Sequence, residues 1–498
     1  LRLLAALLLV AAPAAASQDD LYAATIPSLG LAGAGSLLED GGAGAINQPA
    51  AIGFGAGDFM RLGGLAGQVW LSEVEGLTRL DGGGPAPEVA VQPGGVTIDL
   101  VKNLGPWLRG GAWVVASLPN LYHHDTKDPW VPYSMRWQSR YGRTLAAASL
   151  AGKIPVRGVP GGSRSIEHIH QGGLWLGVGL SVRPRGIIDV DLDLIGRDDG
   201  ADGRIDVVLS NVDLIARPVI RPEASIAFDL GTAHAALVGY RVGVAYRSES
   251  ITRIDPIGLD ILVDGLEELN PLFSLVERIQ AQVFLGLVDF YDPHQVRISF
   301  AADQLRWAAT VDVQWNDWSR LDPSFGQVVG GLEGEEGFLD LVLKGADGDN
   351  VIDFPVQTAR DTEGAGFHDA WDLALGGELR PPGVPLPRAD QLLELTIRLG
   401  YRIQGGAVTP GDGRAAILDS DVHTIGFGLG LAGPAPPTFA GPIRLDWGVQ
   451  ALRMVGLDLP KNAATGSTEA DFPVAWEAGA QWGGGWSVVS GASLGMHF

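Results

Sequence analysis

Along one stretch of this chain after another, large apolar residues alternate with charged or amide residues, and that period of two restricts the chain to strands with one wet face. Leu393, Leu395, Ile397, Leu399, Tyr401 and Ile403 alternate with Glu394, Thr396, Arg398, Gly400, Arg402 and Gln404. Leu305, Trp307, Ala309, Val311, Val313 and Trp315 alternate with Arg306, Ala308, Thr310, Asp312 and Gln314. From Trp486 to Phe498 the even positions are Trp, Val, Ser, Ala, Leu, Met and Phe, with Ser487, Val489, Gly491, Ser493, Gly495 and His497 between them. Full charges on so many strands exclude a dry sandwich core, where each unpaired charge would be strongly destabilising. A closed antiparallel barrel satisfies both faces: the polar side lines a wet lumen, the apolar side meets lipid, and closure removes the edge strands.

Composition narrows the remaining choices. Leu1 to Ala16 carries one basic residue, an apolar run and a small-residue end, the pattern of a secretory signal peptide. That run falls well below the roughly 20 residues of a membrane-spanning helix, and no other stretch is long and apolar enough to be one. With no cysteine, thiolate metal sites and thiol catalysis are excluded. A formal net charge of -23 argues against a nucleic-acid partner. The pairs His123-His124 and His168/His170, and the acidic clusters at Asp198/Asp202 and Asp347/Asp349/Asp353, lack the remaining ligands of a zinc or calcium site. No Gly-x-Ser-x-Gly elbow is present. The expectation is a protein that is not an enzyme and holds no metal or cofactor.

Fourteen strands are expected: Phe59 to Leu71, Val96 to Asn103, Arg109 to Leu118, Gly142 to Ile154, Leu174 to Arg183, Val219 to Leu230, Ala236 to Ser248, Gln295 to Ala302, Leu305 to Asn316, Ala370 to Arg380, Leu392 to Gln404, Val422 to Leu431, Ile443 to Gly456 and Phe472 to Phe498. The number is even, as in single-chain bacterial barrels. Gly483-Gly484-Gly485 resembles a hairpin turn, but a turn there would add a strand and move the long connection Asp317 to Asp369 to the short-turn side. The final stretch therefore reads as one strand kinked at the glycines. Gly231 to His234, Asp303-Gln304 and Pro381 to Gln391 are then short turns at one end, the periplasmic one. Aromatic residues near strand ends, Trp307, Trp315, Trp371 and Trp486, suit a girdle at the lipid headgroups.

Particular motifs carry a family resemblance. Gly35 to Phe54 contains Asn47-Gln48-Pro49-Ala50-Ala51 followed by Gly53-Phe54, similar to the Asn-Pro-Ala segment of the long-chain fatty acid transporter (FadL) family, which includes aromatic-hydrocarbon channels. Tyr246-Arg247-Ser248-Glu249, the hairpin Val296 to Arg320 with Asp303-Gln304 and Trp318-Ser319, and the terminal Phe498 resemble the same family. The resemblance implies three parts: a signal peptide over 1–16, an N-terminal hatch over 17–57 that plugs the lumen and includes Asn47, Pro49, Ala50 and Phe54, and a transmembrane barrel over 58–498. It also implies lateral release at a kinked third strand, for which Gly110 and Gly111 are the candidates, and barrel closure at Phe498.

The connection after Ser248 is rich in large apolar residues. Leu262, Leu266, Leu269, Phe273 and Val276 share one face at helical spacing, a candidate groove for a hydrophobic ligand. The expectation is a monomer in the outer membrane of a Gram-negative bacterium, surrounded by outer-membrane lipid. It would pass hydrophobic small molecules such as fatty acids or hydrocarbons; a barrel that serves structurally, or binds partners through its loops, is the alternative.

Overall fold

The computed structural model describes residues 25–38, 41–42, 44–55, 57–72, 74–79, 89–91, 94–117, 145–154, 173–195, 206–263, 279–320, 328–333, 366–385, 392–409, 420–434, 442–458 and 474–498. Fourteen strands form the wall: β1 (Phe59–Leu71), β2 (Gly94–Gly105), β3 (Leu108–Ser117), β4 (Leu145–Ile154), β5 (Leu174–Ile195), β6 (Asp206–Asp229), β7 (Tyr240–Arg247), β8 (Gln295–Asp303), β9 (Trp307–Asn316), β10 (Ala370–Leu379), β11 (Leu392–Gln404), β12 (Val422–Gly433), β13 (Ile443–Met454) and β14 (Gly485–His497). Each pairs antiparallel with the next in the chain, and β1 pairs with β14 from Phe59↔His497 to Leu71↔Gly485. Every wall strand thus has two neighbours and no edge is left open.

The two faces of the wall are the reverse of a soluble protein. Val178, Ile220, Ile298, Leu399 and Ile425 point outward and are each more than half exposed. Arg61, Asp99, Arg221, Glu223, Arg398 and Asp446 point inward and are buried. An uncovered apolar belt of this kind is stable only against lipid. Trp307 opens β9 at one end of the belt, while Trp315 pairs with Trp371 at the other. The eight-residue separation spans about 26 Å along the strand, which a tilt of about 40° reduces to roughly 20 Å along the barrel axis, within the roughly 25 Å apolar band of outer-membrane barrels.

The turns divide by length as alternation and parity require. The connections β6–β7, β8–β9 and β10–β11 lie at the end marked by Phe59 and His497; 317–369 lies at the opposite, long-loop end. At Gly483-Gly484 the last strand bends rather than turns back. Residues Val474–Trp482 pair with Val74–Arg79, the continuation of β1, while Gly485–His497 pairs with β1 itself. Gly484 has φ +79, and a Cβ there would stand 2.3 Å from the Met454 carbonyl oxygen, so the bend needs a residue without a side chain.

Three readings are corrected. The seventh strand begins at Tyr240, because Ala235–Leu237 forms a 3-10 turn capped by His234. β5 and β6 extend well past Arg183 and start well before Val219. Pro184 and Pro218, which carry no N–H donor, oppose each other in register, so one pair takes both missing donors. Finally, the residues after Ser248 form a long hairpin, Ser250–Val263 with Ile279–Asp292, which Val328–Glu333 joins as a third strand. Leu262 pairs with Gln280 in that hairpin and so does not start a helix. β-branched and aromatic residues, together with this pairing, hold Ser250–Val263 and Ile279–Asp292 as strands.

Candidate functional site

The lumen is occupied by the described residues that precede β1, from Thr25 to Gly55. Helix α1 (Ile26–Gly30) starts with a reciprocal cap: the Ser28 amide donates to Thr25 Oγ1 (3.2 Å) and the Thr25 amide to Ser28 Oγ (2.8 Å). Ile26 and Leu29 pack on Leu65 and Val489 from the inward faces of β1 and β14. The chain then crosses β11 to β13, helix α2 (Gly44–Asn47) follows, and a 3-10 turn, Pro49–Phe54, lies fully buried against β4 to β6.

Wall glycines make room for this segment. A Cβ at Gly400 would lie 2.0 Å from the Leu31 carbonyl carbon, at Gly426 2.2 Å from the Leu29 oxygen, at Gly448 2.6 Å from the Ile26 oxygen, and at Gly177 2.1 Å from the Ala50 nitrogen. These are backbone atoms, which cannot rotate aside. These strand glycines are therefore sites of close approach between the wall and the backbone of the segment.

Inward polar residues hold the segment at points around the circumference. Asp312 of β9 accepts through one oxygen from the Gly35 amide (2.8 Å), the Ser36 amide (3.2 Å) and Ser36 Oγ (3.0 Å). Arg241 of β7 donates to the Leu37 carbonyl (2.9 Å) and to Asp303 (3.1 Å), with its guanidinium 4.9 Å from the Phe54 ring centroid. Asp99 of β2 pairs with Arg61 (3.2 Å) and accepts from the Gly42 amide. Arg247 donates to the Ile46 carbonyl and pairs with Glu223 (3.0 Å); Arg109 donates to the carbonyls of Gly55 and Gly57.

Near the short-turn end the charges join into a chain: Arg241–Asp303–Arg380–Glu378–Arg398–Asp446–Arg444, with each contact between 2.7 and 3.2 Å. Just outside the wall, hydrogen bonds from the Lys102 ammonium and the Asn103 amide hold the Asp58 carboxyl below its ordinary range.

Asn47, Pro49, Ala50 and Phe54 come together on one side of the lumen. Asn47 and Pro49 line a cavity of about 10 Å³, room for one water, beside Glu223 and Arg247. The Ala50 amide donates to Ser225 Oγ (2.7 Å), and Phe54 and Ile52 join Trp175, Ala151 and Ala227 in a buried apolar cluster. Gln48, which separates Asn47 from Pro49, donates to the wall carbonyls of Ile226 (3.1 Å) and Val244 (3.3 Å). Gly110 and Gly111 sit in β3 with pairing to β2 and β4 uninterrupted on both sides. A Cβ at Gly111 would meet Ile52 at 3.3 Å. The Phe498 amide donates to the Asp58 carbonyl (3.1 Å) beside the β1–β14 seam. Leu266, Leu269, Phe273 and Val276 lie outside the described residues, as do residues 1–24, both His pairs and both acidic clusters.

A structural neighbour decides the class of fold. The crystal structure of a Pseudomonas aeruginosa FadL homologue superposes with a TM-score of 0.52 and 13% identity over 98% of this chain and all of that one. The chain has a FadL-type barrel fold. The Pseudomonas putida toluene transporter TodX is also similar, with a TM-score of 0.47 and 11% identity over 96% of this chain and 98% of that one. No protein-family profile and no curated relative matches the sequence. What the alternation left unread in this FadL-type barrel is the pairing of inward Asp312, Arg241, Arg247 and Asp99 with the segment. Their inward parity was visible, but their partners lie up to hundreds of residues away.

Removing the Asp312 carboxylate tests the hold on the segment. In Asp312→Ala the Gly35 and Ser36 amides lose a charged acceptor, and their protection from hydrogen exchange is expected to fall by about tenfold or more, while β9 stays protected. Unchanged exchange at both amides would show that this contact does not retain the turn.

Proposed function

We propose that this protein is a Gram-negative outer-membrane channel for passive uptake of hydrophobic small molecules, with the 17–57 segment as its plug. The observation that supports the reading is the contact between wall glycines and the backbone of residues that precede β1, together with the burial of Ile52 and Phe54 against Trp175. Such a lumen suits cargo that partitions into apolar spaces rather than solutes that need an open pore.

In this reading the short-turn end faces the periplasm and the long-loop end faces outward. Capture takes place near the hairpin that follows Ser248, where Leu262, Leu266, Leu269, Phe273 and Val276 supply apolar surface. Each Å² removed from water contributes about 25 cal/mol, so binding there needs no polar recognition. Lateral release at Gly110 and Gly111 requires the ladder at β3 to part, and Ile52, packed on Gly111, is the side chain whose withdrawal uncovers that wall. The structural likeness to a FadL homologue supports the fold on which this rests; the cargo is inferred from the apolar residues of the loop sequence.

The test is ligand binding and uptake into liposomes carrying the purified protein, with a long-chain fatty acid and a monoaromatic hydrocarbon as probes. A variant carrying Leu269→Asp and Phe273→Asp, still heat-modifiable as a folded barrel, is expected to lose about tenfold in uptake because each charge must be desolvated against the cargo. If the wild type binds and passes neither probe, the protein is a barrel that acts through its loops instead.

A further inference from the structure

The outer face of the wall carries a feature that a uniform lipid-facing surface does not need. Across β10, β11 and β12 runs a groove of about 610 Å³, within the size range of small-molecule sites. Its sides are Leu375, Leu379, Leu399 and Ile425, and it lies over Gly377. A Cβ at Gly377 would touch only the Ala308 carbonyl oxygen, at 3.7 Å, so the floor is open where neighbouring outward positions carry leucine. At its long-loop end the groove reaches Tyr401, whose hydroxyl hydrogen-bonds His423 Nδ1 at 2.7 Å with the two rings stacked.

His423 pairs in register with Arg453, and Arg453 with Trp486. All three occupy outward positions, by the parity that exposes Ile425, Trp447 and Val488 on the same strands. The Arg453 guanidinium lies 4.9 Å from the Trp486 ring centroid and donates to the carbonyls of Gly485 (3.5 Å) and Gly483 (3.4 Å). Asp421, two residues from His423, accepts from the Gly406 amide (3.0 Å). An arginine and a histidine on the lipid-facing side, level with the aromatic residues of the headgroup region, face the phosphates of a leaflet.

We propose that this groove and its cationic end form a binding site for a phosphate-bearing membrane lipid: an acyl chain lies over Gly377 between the leucines, and the phosphate meets Arg453 and His423. Charge complementarity and the continuity of groove and headgroup level point to one occupant. An arginine gives a phosphate two parallel N–H donors, and a neutral zwitterionic headgroup gains less because its own cation competes. The site requires only that the barrel stand in a bilayer, not that it transport anything.

The experiment is native mass spectrometry of the full-length protein released from nanodiscs containing phosphatidylglycerol and phosphatidylcholine in equal amounts. The wild type is expected to retain phosphatidylglycerol preferentially. Arg453→Gln is expected to reduce that preference about fivefold, the effect of one cation at a membrane surface, without changing retention of phosphatidylcholine. Gly377→Leu, which fills the floor, is expected to lower retention of both lipids while the protein remains heat-modifiable. Equal retention of the two lipids by the wild type, or an unaltered preference in folded Arg453→Gln, would overturn the site. A protein that fails to enter nanodiscs at all would instead overturn the membrane placement beneath the proposed function.

Discussion

Gly400→Val is expected to show steady ion conductance in planar bilayers, where the proposed plug is expected to keep that of the native barrel low. The new Cβ would stand 2.0 Å from the Leu31 carbonyl carbon, 2.2 Å from its oxygen and 2.5 Å from its Cα, so the segment must leave the wall. No rotamer relieves a clash with backbone, and overpacking a tight contact typically costs about 1–3 kcal/mol. The wall strand itself gains β propensity from valine and should hold its pairing with Gly376 and Gly426. Gly152→Val is the control, because nothing stands within 4 Å of a Cβ there. The paired outcome separates a plug from a general loosening: Gly400→Val should conduct and Gly152→Val should not. Silence from a folded Gly400→Val barrel would mean that the segment does not seal the lumen.

Arg398→Met is expected to destabilise the barrel by about 3–5 kcal/mol, as loss of one partner from a buried ion pair does. Arg398 is fully buried and bridges Glu378 of β10 (2.8 Å) and Asp446 of β13 (2.9 Å), so its removal leaves two facing carboxylates without their shared cation. Arg380 still reaches Glu378 and Arg444 still reaches Asp446, which places the loss at the lower end of that range. Urea unfolding followed by heat-modifiability measures the change. Adding Glu378→Gln and Asp446→Asn to Arg398→Met should restore much of the stability, since the repulsion is then gone. A single substitution with wild-type stability would show that lumenal water, rather than Arg398, screens these carboxylates.

The two effects draw on different physics. Close contact between glycine and backbone governs whether the segment fits at all; the ion pairs govern how firmly the wall beneath it is tied across strands. Asp303 belongs to both systems, because it pairs Arg241, which also holds the Leu37 carbonyl and covers Phe54. A change near the turn Asp303-Gln304 would therefore be felt at the segment.

By itself the sequence determined the barrel. Alternation through Leu393–Gln404 and Leu305–Asn316 assigns each residue to a face, because a strand has a strict period of two and charges facing the middle of the bilayer are destabilising. Parity of the strand count determined that Gly483-Gly484 bends rather than turns, and the pairing of Val474–Trp482 with Val74–Arg79 agrees. Only the tertiary structure decided the partners of the inward residues: Asp312 meets Gly35 and Ser36 from a strand far along the chain, and Gly400 meets Leu31. Local periodicity carries no information about such distances, since it reports which face a residue occupies and not what stands opposite. The hairpin Ser250–Val263 with Ile279–Asp292 shows the same limit from the other side. Leu262 suits a helical face equally well, and its place fell to cross-strand pairing with Gln280, an interaction between segments that neither segment specifies alone.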